Sequence, residues 1–374
     1  MSKQNELVQF SRGASGGGSK NLIINGGQQI WQRATATTTV TNSGYNTVDR
    51  FRYYVSGGGA YTSTRSTDVP SGQGFSYSNK LDVTTADTSL ASSDYYSFRQ
   101  RIEAQNLARL AYGTSGAKTI TLSFWIKSNK TGIYTIQLYK FDNTNYTYVK
   151  EYTINSANTW EKKTITINPT AGSTTLITNS GGAIDVDNGI GLQVTFNLSM
   201  GNTYTGATND AWSANGNHAT TTNAINWMDS TSNNLYLTGV QLEANDTSTD
   251  FEFENYGTTL SKCQRYFCRT YAYGTATGTA TSNGCLCSVI HSANNWAGCG
   301  NFHYPVEMRA TPTVTLYSTY NANTTGKVTA DATDGAGGVN FNTTTRCMIS
   351  RQSDSAGTGA SVFMRAHATA DAEL

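Results

Sequence analysis

Alternation of apolar and polar residues is the dominant pattern of this chain. It is clearest in Gly191–Met200, where every second residue is apolar and the residues between them are Gln, Thr, Asn and Ser. A period of two places the apolar set on one face of a strand and the polar set on the other. The segment therefore predicts a strand with one face in a core, formed by Leu192, Val194, Phe196, Leu198 and Met200.

The same period recurs through the region 21–255, and turn signals rich in Asn and Gly separate the strands. The clearest further segments are Phe51–Val55, Thr121–Lys127, Ile133–Phe141 and Glu161–Ile167. Many short strands at this spacing indicate an all-β chain folded as a β-sandwich or barrel. One helical turn is expected at Asn106–Tyr112, because Gly113 follows it as a C-terminal cap.

Two long polar segments, Ser56–Asp94 and Gly201–Ser232, interrupt these strands. Loops of this length are functional, disordered, or contain short strands of their own. Residues 256–374 begin with a short helix or turn at Leu260–Phe267 and continue with further strand candidates among Gly and Thr. We therefore expect three units: a polar leader at 1–20, a β-sandwich at 21–255 and a smaller β-sandwich at 256–374.

Composition supports an all-β chain and excludes several classes of protein. Charged residues are 14% of the chain, against about 25% in an average soluble domain. The net charge of +1 argues against nucleic acid as a partner, since that would require clustered Lys and Arg. No apolar run reaches the ~20 residues that span a bilayer, and the N-terminus has no apolar signal segment. We therefore expect that the protein does not insert into a membrane. We also expect that it is synthesised in a cytoplasm.

Several short stretches resemble fibre and appendage proteins on the virions of tailed bacteriophages, marine podovirus-like ones especially. The most informative is Gly239–Phe267, in which the end of a strand is followed by Phe-Glu-Phe-Glu and a short helical segment. The others are Asn21–Arg33 with Val48–Phe51, Thr119–Ser128 and Ala370–Leu374. The resemblance implies a jelly-roll sandwich of the carbohydrate-binding type, followed by a distal C-terminal head.

The resemblance also implies a location and partners. A virion fibre attaches by its N-terminus, so Leu7, Val8 and Phe10 become candidates for docking to the phage tail or another virion protein. The alternative is a frayed terminus. Phage fibres are mostly homotrimers, and three identical weak sites suit adsorption to a host cell-surface glycan. Two alternatives stay open: a decoration protein of capsid or tail without a receptor role, and a glycan-degrading tailspike.

Sugar recognition requires an aromatic face against the C–H surface of the ring, with polar side chains reading the hydroxyl groups. The candidate ligand-binding residues are Trp125, Tyr204, Trp212, Trp227 and Trp296. Trp125 alternates out of phase with its apolar neighbours and serves either as a binding residue or as core of a second layer. Trp212 and Trp227 serve either as ligand contacts or as anchors of their loop or of a trimer interface. Trp160 is expected in the core, and Trp296 at an exposed loop tip.

No catalytic motif is recognisable. The carboxylates of Glu252 and Glu254 lie two residues apart, but a solvated position or a pair with Arg265 suits them better than a glycosidase site. We expect no enzyme activity and no cofactor. Structural calcium at Asp185, Asp187 and Asn188 is conceivable but not favoured over a turn bonded to its own backbone. A zinc site is not favoured either, because Cys285 and Cys287 lack the spacing of a zinc knuckle.

Overall fold

The computed structural model describes residues 19–34, 38–221, 225–290, 296–330, 332–352 and 362–374. Twenty strands dominate it, and every strand pair recorded among these residues is antiparallel. The predicted all-β fold with a jelly-roll sandwich is confirmed; the smaller unit, expected as a second β-sandwich, consists of β-strands around a core of its own. No helix in the described ranges is long and apolar enough to cross a membrane.

Two six-stranded sheets build the larger unit. In spatial order, sheet A contains β1 (Thr38–Val40), β3 (Ala60–Ser66), β4 (Ser78–Thr85), β12 (Asn234–Glu243), β6 (Ile120–Ser128) and β9 (Glu161–Ile167). Sheet B contains β11 (Ala211–Ser213), β8 (Tyr146–Ile154), β7 (Gly132–Lys140), β10 (Ile190–Met200), β5 (Tyr95–Glu103) and β2 (Arg52–Ser56). The sheets pack face to face, because Phe124 of sheet A contacts Phe196 and Tyr152 of sheet B at ring-centroid distances of 5.1 and 5.2 Å.

The alternation along β10 and β6 fixes which face is the core. Leu122, Phe124 and Ile126 are fully buried, and Leu192 and Val194 oppose them from sheet B. One cluster of buried side chains fills the space between the sheets over nearly the whole length of the unit. The opposite face of each sheet is polar. On sheet B the segment Gly201–Ser232 covers part of that face, since Asn197 donates to the His218 carbonyl and Ser199 to Asn226 Oδ1.

The long segment Ser56–Asp94 contains two strands, β3 and β4, so it is part of sheet A rather than a loop. Gly201–Ser232 holds the short strand β11 and two 3-10 turns, Asn202–Tyr204 and Trp227–Asp229. The predicted helical turn at Asn106–Tyr112 is present as a 3-10 helix at Ala104–Leu110, and a third short 3-10 turn lies at Ser180–Gly182.

The smaller unit follows helix α1 (Tyr256–Gln264). Its eight strands form one sheet. They are β13 (Phe267–Arg269), β20 (Val362–Asp371), β17 (Lys327–Ala330), β18 (Thr333–Asn340), β19 (Arg346–Gln352) and β15 (Trp296–His303), with β14 (Leu286–Ile290) and β16 (Thr313–Tyr317) also paired to β20. A separate buried cluster, which includes Phe302, Met364 and Ile349, fills its interior. The unit boundaries given above stay predictions.

Three of the stretches that carry the phage resemblance meet at the junction of the two units. Glu373, next to the last residue of the chain, pairs with Arg50 and lies 3.3 Å from Arg33. Arg33 also pairs with Asp371 at 3.1 Å, and its guanidinium lies 3.8 Å from the ring centroid of Phe267. Arg50 is completely buried, with its guanidinium 3.3 Å from the ring centroid of Tyr266. This buried charge network fixes the C-terminal strand against the sandwich.

Candidate functional site

The outer face of sheet A carries a group of aromatic side chains that reach solvent. Alternation along β6 turns Trp125 and Lys127 away from the core, and the partner of Lys127 on β12 is Tyr236. Trp160 precedes β9 and lies beside Tyr236, with ring centroids 6.1 Å apart at 66°. All three rings are half-buried, so each presents part of its surface to solvent. We call Trp125, Lys127, Trp160 and Tyr236 the aromatic platform.

Charged groups hold the rings of the platform in place. The Lys127 ammonium lies 4.2 Å from the Tyr236 ring centroid and 5.5 Å from that of Trp160, within the range of cation–π attraction. The Trp160 indole N–H donates to Asp68 Oδ1 at 3.0 Å, and Lys127 pairs with the same carboxylate. Burial raises the pKa of Asp68, but the hydrogen bonds from Lys127 and Trp160 outweigh it and bring the pKa below its ordinary value. Asp68 is therefore ionised at neutral pH.

A glycine in β12 sets the position of Trp125. Gly239 has φ of 62° and lies in an irregular stretch of the ladder between Thr238 and Gln241. A Cβ there would lie 2.6 Å from Phe75 Cζ and 3.0 Å from Trp125 Cδ1, so only glycine lets these two rings approach the strand. Phe75 packs in turn on Phe251 and Phe253, at 5.0 and 5.2 Å between ring centroids.

The structure separates the residues named from sequence as ligand contacts. Trp125 belongs to the platform, and Tyr204 lies on the other side of the molecule, with its ring 5.3 Å from that of Tyr95 on sheet B. Trp212 and Trp227 are only 2% and 0% exposed, and each indole N–H donates to a backbone carbonyl, of Asn168 and Asn234 respectively. The suggestion that these two contact a ligand is wrong for this conformation: they anchor their loop to the core.

Three further expectations meet different outcomes. Trp160 is not core, because it is half-exposed on the platform. Trp296 is the first residue of β15 and pairs with Gln352, so it is not at a loop tip; its side chain lies outside what the structure describes. The docking candidates Leu7, Val8 and Phe10 also fall outside the described residues.

The carboxylates suggested for catalysis are committed to local structure. Glu252 accepts hydrogen bonds from the Ser19 hydroxyl and from the backbone N–H groups of Lys20 and Asn21. Glu254 pairs with Lys262, and the expected pair with Arg265 is wrong because Arg265 binds Glu103, with two nitrogens 2.9 Å from its carboxylate oxygens. Glu252 therefore holds the segment that enters the sandwich, and Glu254 holds the helix that follows it.

Asp187 forms the turn expected as the alternative to a calcium loop. Its Oδ1 accepts from the backbone N–H of Gly189 at 2.8 Å. Close by, the ammonium of the buried Lys140 donates to the carbonyl oxygens of Asp142, Thr144 and Gly181 at 2.8–2.9 Å. A lysine therefore supplies the positive charge that satisfies these carbonyl groups. Across the described residues, no group of three or more His, Cys, Asp or Glu side chains is arranged to hold a metal ion.

Comparison with known proteins gives weak matches. No protein-family profile and no curated protein matches the sequence. Among solved structures, the enzymatically active domain of tailspike protein 4 from bacteriophage CBA120 overlaps 60% of this chain, at 14% identity and a TM-score of 0.30; the overlap spans 22% of that chain. A CBM4 structure overlaps 61% of this chain and 100% of its own, at 15% identity and a TM-score of 0.28. The family 11 carbohydrate-binding module of a Clostridium thermocellum cellulosomal cellulase overlaps 57% and 96%, at 12% identity and a TM-score of 0.28.

Proposed function

We propose that this protein is a non-catalytic glycan-binding component of a tailed-phage virion, which adsorbs to host-surface polysaccharide through the aromatic platform. The observation that carries the proposal is the arrangement of Trp125, Trp160 and Tyr236 beside Lys127 and Asp68 on one solvent-facing sheet. Indole and phenol rings offer flat apolar surface to a sugar ring, and the carboxylate of Asp68, whose side chain is 45% exposed, is available to its hydroxyl groups. Lys127 is buried and holds that carboxylate in place.

The position of the rings supports binding rather than packing alone. Trp125 and Tyr236 lie on strands and Trp160 directly before one, and the cation–π and hydrogen-bond contacts restrict the side-chain freedom of Trp160 and Tyr236. A rigid site loses little conformational entropy when a ligand binds, which matters for weak sugar contacts. The homotrimer, attachment by the N-terminus and location in the virion are further parts of this proposal. Three copies of a weak site would raise the avidity on a repetitive polymer.

The test is retention of the purified protein in native gels that contain bacterial surface polysaccharides, beside a native mass measurement of the oligomer. The wild-type protein is expected to be retarded by at least one polysaccharide, and Trp160→Ala and Tyr236→Ala to be retarded several-fold less. Tyr320→Ala is the matched control, since it removes an exposed ring in the smaller unit, 58% exposed, and should leave retention unchanged.

Four results would contradict the proposal or one part of it. Equal retardation of the platform variants and Tyr320→Ala would remove the platform as the binding site. Absence of retardation on every polysaccharide would favour the decoration protein. Release of reducing sugar from a retained polysaccharide would favour the tailspike, and a monomeric mass would remove the trimer.

A further inference from the structure

Three arginines lie together on the outer face of sheet B, on the side of the sandwich opposite the aromatic platform. Arg52 on β2 is directly opposite Arg99 on β5, and Arg101 follows two residues later on the same face of β5. Gln193 on β10 is paired with Arg101, and its Oε1 accepts from Arg101 Nε at 3.1 Å. We call Arg52, Arg99 and Arg101 the arginine face.

None of these three arginines forms a salt bridge with any residue that the structure describes. Arg99 is only 6% exposed, and its Nε has no hydrogen-bond partner in the described ranges. Its guanidinium lies 3.7 Å from the ring centroid of Tyr54. A buried arginine that faces other arginines without a carboxylate is unusual, because buried charges are normally paired.

The electrostatic cost of this arrangement is visible at Arg99. Burial, and then the positive charges of Arg101 and Arg52, lower the pKa of Arg99 to about 10. Like charges at directly opposed positions of a sheet destabilise it. The free protein therefore bears repulsion that a bound anion would relieve, which distinguishes these side chains from an ordinary solvated charge pattern.

Aromatic rings border the arginines. Tyr54 and Tyr95 are stacked with ring centroids 4.5 Å apart, and Tyr139 and Phe141 lie 4.6 Å apart two strands further along the sheet, after β10. Planar guanidinium groups bind carboxylate and sulfate oxygens in a two-point geometry, and half-exposed rings suit the apolar face of a sugar. Nucleic acid fits less well, since the net charge of +1 leaves no extended basic track.

We infer that the arginine face is a second binding site, which takes the oxyanion of an acidic saccharide: the carboxylate of a uronic acid or a sulfate ester. The site does not depend on the aromatic platform. Its charge makes it selective for anionic sugars, whereas the platform contacts rings without regard to charge.

The experiment is isothermal titration calorimetry of the whole protein at constant ionic strength with three probes: tri-galacturonate, a sulfated galactose trisaccharide and an uncharged galactose trisaccharide. At least one anionic probe is expected to bind about tenfold more tightly than the uncharged one, a difference that one charged two-point contact supplies. Arg52→Gln, on an edge strand, and Arg99→Met should each weaken that binding about tenfold or more. Trp160→Ala should weaken only the charge-independent binding that the three probes share at the platform and should keep the preference for the anionic probe, which separates the two sites.

Arg346→Gln is the control, because it removes an exposed arginine from the smaller unit and so changes the net charge equally. If Arg346→Gln and Arg52→Gln lost the same amount of affinity for the anionic probe, the binding would be non-specific charge attraction, and the proposed site would be overturned. Undetectable binding of both anionic probes at millimolar concentration would overturn it as well. If Arg99→Met does not fold, Arg52→Gln alone decides the outcome.

Discussion

The buried charge network at the junction gives the sharpest prediction of stability. Glu373 is 4% exposed and faces Arg33 and the completely buried Arg50. Glu373→Gln removes the negative charge and leaves Arg50 buried over the Tyr266 ring without a counter-charge. Removing one partner of a buried ion pair costs about 3–5 kcal/mol, so we expect the free energy of unfolding to fall by about that amount.

Asp371→Asn is the matched control on the same strand end. Asp371 pairs with Arg33, but its side chain is 42% exposed, and exposed pairs contribute about 0–1 kcal/mol. Urea unfolding, followed by tryptophan fluorescence and circular dichroism with equal slopes, measures both variants. The double variant Arg50→Met/Glu373→Met should recover most of the loss, since an apolar pair of similar volume is often as stable as a buried ion pair.

The reasoning would be refuted if Glu373→Gln lost no more stability than Asp371→Asn. It would also fail if the double variant were less stable than Glu373→Gln alone, because the loss would then come from shape and not from unpaired charge.

Two further predictions concern a half-buried histidine and a buried lysine of the sandwich. His218 lies under the Tyr204 ring, and burial, followed by the charge of Arg99, lowers its pKa from 6.5 to about 4. Between these two pH values the unfolded chain binds a proton that the folded chain does not, so the free energy of unfolding should fall by up to about 3 kcal/mol as the pH drops from 6.5 to 4. In urea titrations at several pH values, His218→Gln should lack this pH-dependent loss of stability. Identical pH profiles for the variant and the wild type would contradict the prediction. Lys140→Met should lower the free energy of unfolding by about 3 kcal/mol or more in the same assay, since three carbonyl groups lose their hydrogen-bond donor. A chelator should leave the melting temperature of the wild-type protein unchanged. A melting temperature that falls with chelator would instead reveal a bound metal.

The strands of the sandwich could be predicted because one face of each is buried. In β10 and β6 the period of two separates the apolar side chains of the core from the set on the opposite face, and it correctly turned Trp125 outward. It did not show that the polar set of β10 is itself buried, because the segment that covers it lies elsewhere in the sequence. The same rule did not identify β3 and β4, whose sequences are rich in Ser, Thr and Asn; pairing with β12 and β1, distant in sequence, makes them strands. Tertiary pairing of this kind outweighs local preference.

The site residues were harder to predict, because the exposure of a side chain depends on how its loop folds against the sheets, and the local sequence pattern does not show this. Trp212 and Trp227 lie in a polar segment, which favours surface, yet they fold back onto the core. Trp160 follows a turn and was expected inside, but its ring lies on the outer face of sheet A beside Tyr236. The arginine face was missed altogether, although Arg52 and Arg99 alternate with apolar residues; only strand pairing shows that they are opposite one another.

The two outer faces of the sandwich point in opposite directions, with two sheets about 10 Å apart between them. An extended polymer lying across Trp160 therefore cannot bend round to Arg52 without leaving the first surface. If both surfaces are occupied, they bind separate polysaccharide chains, one on each side of the rigid sandwich. The molecule would then act as a spacer inside a polysaccharide layer and would bind neutral and acidic chains independently.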